Sequence, residues 1–170
     1  MLSARFVKAL SLVALFNGVL YFSLTPVAYA NNEEDAKKYT QDLKKGKDAK
    51  VKVTALLELG KLAAIQKPLV ADALPDIYKA LADKDASIRA AAAQCLGACD
   101  EPADKAVPEL MKLLKDDKEE SVKIGAAKGL ASMGSTAKEA LPTLRELAGD
   151  KKSALGKTAG MAAKAIGGKK

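Results

Sequence analysis

The apolar residues after residue 30 recur at helical spacing within a unit that repeats along the chain. Pro75, Pro108 and Pro142 each follow an alanine and an aliphatic residue, and they are separated by 33 and 34 residues. Apolar residues then recur every three or four positions, as at Leu110 and Leu114. This spacing predicts an amphipathic helix after each proline, because a missing N–H costs nothing in the first helical turn.

A polar turn and a second, alanine-rich helix complete each unit. The turns are at 83–85, 116–118 and 149–151. The second helix of one copy, at 88–97, aligns with 122–131 and, at an offset of 37, with 51–60. We predict helices over approximately 35–45, 51–65, 69–82, 86–98, 105–115, 120–132, 139–148 and 155–166. A helix pair of this size cannot bury its apolar face alone, so the copies are expected to stack.

This pattern resembles the HEAT repeat family, in the short bacterial form related to the phycocyanobilin-lyase-like repeats. The best-matching residues are Asp83, Arg89, Ala92, Ala93, Leu96 and Gly97. The third copy departs from the pattern with Lys123 in place of the arginine and Ala131 in place of the glycine. The resemblance covers nearly all of 37–168. It implies an all-α fold, a right-handed α-solenoid (α-α superhelix) of about four repeats, and protein binding as the usual function.

The first thirty residues have the pattern of a secretory signal peptide. Arg5 and Lys8 precede an apolar run over 9–24, and Ala28-Tyr29-Ala30 places small residues where a signal peptidase cleaves. The alternative is an uncleaved membrane anchor, for which the run is short. We therefore expect cleavage after Ala30, no stable membrane anchor afterwards, and an exported chain that is periplasmic or secreted.

We expect one HEAT-like domain over 31–170, with repeats at approximately 35–67, 68–104, 105–138 and 139–170. This mature part contains 26 basic and 21 acidic residues, and its two ends are rich in lysine. Nucleic acid is not expected as a partner, because only two arginines, Arg89 and Arg145, and two aromatic side chains, Tyr39 and Tyr78, remain.

The composition also limits the metal and catalytic sites that the chain can form. The chain has no histidine, which excludes histidine-ligated metals and Ser-His or Cys-His nucleophiles. We expect no catalytic residue, no metal and no cofactor, and we predict that the chain is not an enzyme.

Two features could be mistaken for reactive sites. Cys95 and Cys99 lie four residues apart on one predicted helix, where i,i+4 geometry does not favour a disulfide. Buried free thiols are the favoured interpretation, and a bridge across a frayed helix end or a redox or metal role are the alternatives. Arg89 with Asp83 or Asp85 is expected to join a turn to the next helix, or one repeat to its neighbour.

The second helices line the concave face in solenoids of this family, and we expect that face to bind a protein partner as a scaffold or adaptor. The candidate partner-binding residues are Val53, Thr54, Ala90, Ala91, Gln94, Ile124, Gly125 and Lys128. One alternative is an electrostatic binder of anionic envelope components through the lysine-rich ends. The other is an accessory to a cofactor enzyme, which family analogy alone suggests.

Overall fold

A computed structural model describes residues 15–16, 19–20, 25–99 and 101–168, with side chains over 32–99 and 101–168. Eight α-helices lie in this part of the chain: α1 Thr25–Lys45, α2 Ala49–Ile65, α3 Leu74–Ala80, α4 Ala86–Ala98, α5 Ala103–Asp116, α6 Glu120–Met133, α7 Leu141–Leu147 and α8 Ala154–Gly167. Two 3-10 helices, Lys67–Ala73 and Gly134–Ala140, lead directly into α3 and α7.

The predicted helices are all found, with two differences that have physical causes. The helices predicted over 69–82 and 139–148 each begin with a 3-10 segment. Pro75 and Pro142 stand in the first turns of α3 and α7, and neither can donate a hydrogen bond to a preceding turn. The first helix begins at Thr25 instead of residue 35, with Pro26 in its first turn.

The helices form two layers. The second helix of each pair packs on the next one, α2 on α4, α4 on α6 and α6 on α8, and the first helices cover them. Leucines and isoleucines from both layers fill the space between them, and several are fully buried: Leu56, Leu59, Ile77, Leu96, Leu110, Leu114, Leu130, Leu144 and Ile166. This stacking confirms the prediction of an all-α solenoid.

Helices α4 and α6 approach so closely that their backbones touch. A Cβ atom added to Gly97 would overlap the backbone of Gly129, and one added to Gly129 would overlap the carbonyl oxygen of Ala93. At Gly125 it would lie 2.9 Å from the Cα atom of Ala90. Glycine is required at these positions because any side chain would push the two helices apart.

The turns between first and second helices share one hydrogen-bond pattern. The Oδ1 atoms of Asp83, Asp117 and Asp150 each accept a hydrogen bond from the backbone N–H two residues on, at 3.0, 3.0 and 3.1 Å. Aspartate suits this position because its short carboxylate reaches its own backbone. The repeat seen in the sequence is therefore also a repeat of turn geometry.

Arg89 ties two neighbouring repeats together. Its Nε and Nη2 atoms donate to Asp117 Oδ2 and Oδ1 at 2.8 and 2.9 Å, and its Nη1 donates to the carbonyl oxygens of Asp83 and Lys84 at 2.9 and 3.1 Å. Arg89 therefore joins its own turn to the turn of the next repeat, which agrees with the structural role expected from the sequence. Its partner carboxylate is Asp117, not the expected Asp83 or Asp85.

Most of the predicted signal peptide lies outside the described residues. Within that segment, Leu15–Phe16 and Val19–Leu20 form two short antiparallel strands, β1 and β2, where the sequence analysis predicts none. An Asn-Gly pair separates them in the sequence, and such pairs favour tight hairpins. Cleavage after Ala30 would remove residues 25–30 of α1. Among the helices of the described part, none combines the length and the apolar character that crossing a bilayer requires.

Candidate functional site

Two adjoining hollows lie along the C-terminal halves of α2, α4 and α6. Their volumes are about 520 and 620 Å³. Ala64, Ala98 and Ser132, one from each helix, line both hollows, so that they form one continuous surface. We call it the second-helix groove, and its principal lining residues are Thr54, Leu57, Glu58, Lys61, Ala64, Lys67, Gln94, Ala98, Glu101, Ser132, Met133 and Thr136.

Helical periodicity places these residues on one surface. On α2, Thr54, Leu57, Lys61 and Ala64 follow one another at intervals of three or four residues, which puts them on one face of the helix. On the neighbouring helices α4 and α6, the small residues Gly97, Ala98 and Ser132 leave space open beside this face. The groove can therefore receive side chains from a partner.

The charged groups of the groove are largely paired. Lys61 Nζ and Glu58 Oε1 are 2.6 Å apart on α2. At the other end, the Tyr78 hydroxyl donates to Glu101 Oε2 at 3.1 Å. Burial, followed by this hydrogen bond, raises the pKa of Tyr78 to about 12. The tyrosine therefore stays protonated across the physiological range, and the groove presents polar and apolar surface without a strong net charge.

The structure brings only part of the predicted site together. Thr54 and Gln94 line the groove. Val53 is half-buried and packs against the core. Ala91 and Gly125 are a correction to the sequence analysis, since both are buried and cannot contact a partner, Gly125 where α4 and α6 meet.

The remaining predicted residues lie outside the lining. Ala90 faces Gly125 across the α4–α6 contact, whereas Ile124 is half-buried and Lys128 is exposed. The sequence analysis missed Ala98 and Ser132, which the same helical stripes contain. Ala98 follows Gln94 by four residues, and Ser132 follows Lys128 by four. Extending each stripe by one turn would have found them.

Cys95 and Cys99 are both buried and free, which confirms the favoured interpretation of this pair. Their Sγ atoms are 3.9 Å apart, and the Cys99 thiol donates to the Cys95 carbonyl oxygen at 3.1 Å. The hydrogen bond with Cys99, together with burial, raises the pKa of the Cys95 thiol well above its usual range. Protonated thiols are poor nucleophiles and poor metal ligands.

Within the side chains that the structure describes, no three His, Cys, Asp or Glu residues are grouped so that they could hold a metal ion. The arrangement in the groove suits recognition, since small residues and a few apolar and polar side chains line an open surface.

Comparison with known proteins adds a family and a structural relative. A family model described as HEAT repeats matches residues 36–131 and 107–170, which confirms the resemblance predicted from the sequence. No curated protein sequence matches the chain. Among the solved structures, it is similar to human deoxyhypusine hydroxylase in complex with glycerol, at a TM-score of 0.55 and 24% identity. The likeness covers 84% of this chain and 46% of that one, about half its length.

This relative corrects one prediction. The sequence analysis predicts that the chain is not an enzyme, and this relative overturns that prediction, because a solenoid of the same fold is named as a hydroxylase and the fold therefore does not exclude catalysis. Repeats of this kind serve as a catalytic framework as well as a binding one. At this level of identity the likeness shows the fold alone, and no residue role is carried over from it.

Proposed function

Because the chain belongs to the family of HEAT repeats, we propose that it is an exported scaffold or adaptor that binds a protein partner in the second-helix groove. A helical-repeat scaffold is what the family and the fold support directly. The groove as the binding surface, the protein partner and the export are the parts that experiments must test.

The continuity of the groove is the observation that carries the proposal. Ala64, Ala98 and Ser132 line both hollows, so a partner segment that lies along the groove contacts three successive repeats. Leu57, which is 38% exposed, supplies an apolar contact in the lining. Ile65, which is 69% exposed, follows Ala64 at the end of α2.

These features favour one kind of partner. Aliphatic surface between small residues accepts an apolar side chain from an extended peptide or from the face of a helix. The groove has no tryptophan or arginine of its own, and such residues usually supply most of the energy of tight binding. We therefore expect the partner to contribute the large anchoring side chains.

A substitution at the shared point of the two hollows tests the groove. Ser132→Trp fills the space between them, and Ser132 is exposed, so the fold should tolerate the change. Ser121→Trp is the matched control, because Ser121 is also exposed and lies on α6 outside the groove lining. Each full-length chain is expressed in its native cell, crosslinked, and its partners are identified by mass spectrometry.

We expect one dominant partner that is crosslinked to the wild type and to Ser121→Trp and is lost in Ser132→Trp. Equal crosslinking of all three chains would exclude the groove as the binding surface. Amino-terminal sequencing of the same material tests export, and Asn31 is the expected first residue. An intact amino terminus would contradict cleavage after Ala30.

A further inference from the structure

A second groove lies on the last repeat, on the side of α7 and α8 that no other described helix covers. Its volume is about 820 Å³. We call it the end groove. Its lining residues are Arg145, Ala148, Gly149, Lys151, Gly156, Lys157, Gly160, Met161, Ala163 and Lys164.

The floor of the end groove is apolar and its edges are cationic. Ala148, Gly160 and Ala163 are small, and a Cβ atom on Gly160 would lie 3.7 Å from the Cβ atom of Ala148. Met161 on α8 is 64% exposed and adds apolar surface at the edge of this floor. The lining therefore combines an apolar floor with an exposed, adaptable thioether.

Four cations surround this floor: Arg145, Lys151, Lys157 and Lys164. All four are exposed, and within the described part of the chain none of their side chains forms an ion pair or a hydrogen bond. The lining contains no carboxylate. This groove thus differs from the second-helix groove, where Lys61 is paired with Glu58.

The side chains before α1 and after α8 do not supply the missing negative charge. Residues 1–24 carry Arg5 and Lys8 as their only charged side chains, and the last two residues are both lysine. At the opposite end of the solenoid, α1 exposes four lysines, Lys37, Lys38, Lys44 and Lys45, beside three carboxylates, Glu33, Glu34 and Asp35. This mixed surface has no excess of negative charge to match the four cations of the end groove.

From the apolar floor and the unpaired cations, we propose that the end groove binds an amphipathic helix of a protein partner that carries carboxylates beside its apolar face. Lys157 and Lys164 are seven residues apart on α8, about two helical turns or about 10 Å. Partner carboxylates at positions i, i+3 or i+4, and i+7 would match this spacing. Partner leucines would fit between Met161 and the small residues of the floor.

A synthetic peptide tests the proposal on the full-length, ¹⁵N-labelled chain. The probe is an 18-residue amphipathic helix with leucine on one face and glutamate beside it, and its matched control has glutamine in place of every glutamate. We expect the acidic peptide to shift the backbone resonances of residues 145–164. The glutamine peptide should bind at least about tenfold more weakly.

Charge reversal locates the contact. The double variant Arg145→Glu, Lys157→Glu should weaken binding of the acidic peptide about tenfold or more. The control Lys105→Glu, Lys112→Glu makes the same change in net charge at two exposed lysines of α5 and should leave binding unchanged. Circular dichroism melts establish that all variants fold.

Three results would overturn the proposal: no resonance shift with the acidic peptide, equal weakening in both double variants, or equal binding of the glutamine peptide. Vesicles of phosphatidylglycerol are added in a parallel arm. If the vesicles capture the chain and the acidic peptide does not bind, the end groove recognises a lipid surface and the helix proposal fails. None of these results depends on the second-helix groove, so this test and the Ser132→Trp test are independent.

Discussion

The contact between α4 and α6 and the contact between α6 and α8 are equivalent positions in the repeat, yet they are built differently. At the α4–α6 contact, Gly97 lies against Gly129, and Arg89 forms a bidentate ion pair with Asp117. At the second contact, Lys123 occupies the place of the arginine. Its Nζ donates to the Lys115 carbonyl oxygen at 3.2 Å, and no described ion pair crosses to the next turn.

One hydrogen bond marks the second contact. The Leu155 N–H donates to Glu120 Oε1 at 3.2 Å in an exposed setting. The comparison shows that one repeated sequence unit can form one closely packed junction and one looser junction, depending on a few positions. The closely packed junction lies beside the second-helix groove and the looser one beside the end groove. Four measurements distinguish the two junctions.

Adding one methyl group at the closely packed junction should have the largest effect. Gly129→Ala places a Cβ atom against the backbone of Ala93, which cannot move without separating α4 from α6. We expect a loss of about 3 kcal/mol in the free energy of unfolding, measured by urea denaturation. Gly160→Ala on α8 meets only ordinary contact with Ala148 and should raise stability by about 0.5 kcal/mol through helix propensity. Equal effects at the two sites would mean that the close approach of α4 and α6 does not limit side-chain size at Gly129.

Removing the arginine should have the next largest effect. The side chains of Arg89 and Asp117 are only 16% and 8% exposed, so Arg89→Ala leaves a shielded carboxylate without its partner. We expect a loss of about 2–3 kcal/mol. Lys123→Ala, the equivalent change at the looser junction, should cost at most about 0.5 kcal/mol. A loss at Lys123 as large as that at Arg89 would contradict the comparison.

Acid should weaken the closely packed junction. The hydrogen bond from Arg89 holds the pKa of the Asp117 carboxyl below its usual value. A lowered folded-state pKa adds stability above the unfolded-state pKa of about 3.9, and that stability is lost as the pH falls through the folded-state pKa.

Asp150, at the equivalent turn, also has a lowered pKa, but its main cause is the hydrogen bond from the Lys152 backbone N–H. We therefore expect Arg89→Ala to raise the pKa of Asp117 and leave that of Asp150 unchanged in an NMR titration of the side-chain carboxyl carbons. Below about pH 4, the stability of this variant should fall less steeply than that of the wild type. An unchanged Asp117 titration would show that the arginine does not set it.

The smallest effect is expected at the looser junction itself. Glu120→Ala removes the side-chain acceptor for the Leu155 N–H, which water can replace because the site is exposed. We expect a loss of about 0.5 kcal/mol in urea denaturation, together with faster amide exchange at Leu155. A loss above about 2 kcal/mol would mean that this hydrogen bond holds the last repeat in place.

The sequence was sufficient to predict the helices because the repeat places prolines, aspartate turns and glycine exits at regular intervals. It also suggested that Arg89 has a structural role. The partner Asp117, 28 residues further on, could not be read from spacing within one repeat, because it depends on how the next repeat stacks. Asp83 instead contributes its carbonyl oxygen to Arg89 and pairs with Lys52 of the preceding repeat, at 3.5 Å.

The candidate site was harder to predict for the same reason. Helical spacing tells which residues share a face, but it does not tell how closely two helices approach. Gly125 lies on the predicted face and is buried because the α4 and α6 backbones touch there, and Ala91 on the same face is buried as well. The open part of that face begins about two turns later, at Ala98 and Ser132. The positive charge of the C-terminal end could be predicted from its number of lysines. The end groove could not, because it depends on how α7 packs against α8.

The glycine contacts between α4 and α6 also have a mechanical consequence. In a solenoid each repeat touches only its neighbours, so a pulling force is transmitted through every junction in series. A chain pulled at its two ends should yield first where α8 leaves α6, and the central pair of repeats should be the last to extend. Under the same force, the central repeats would then deform less than the last repeat. The second-helix groove, which lies across the central repeats, would keep its shape under loads that already deform the end groove.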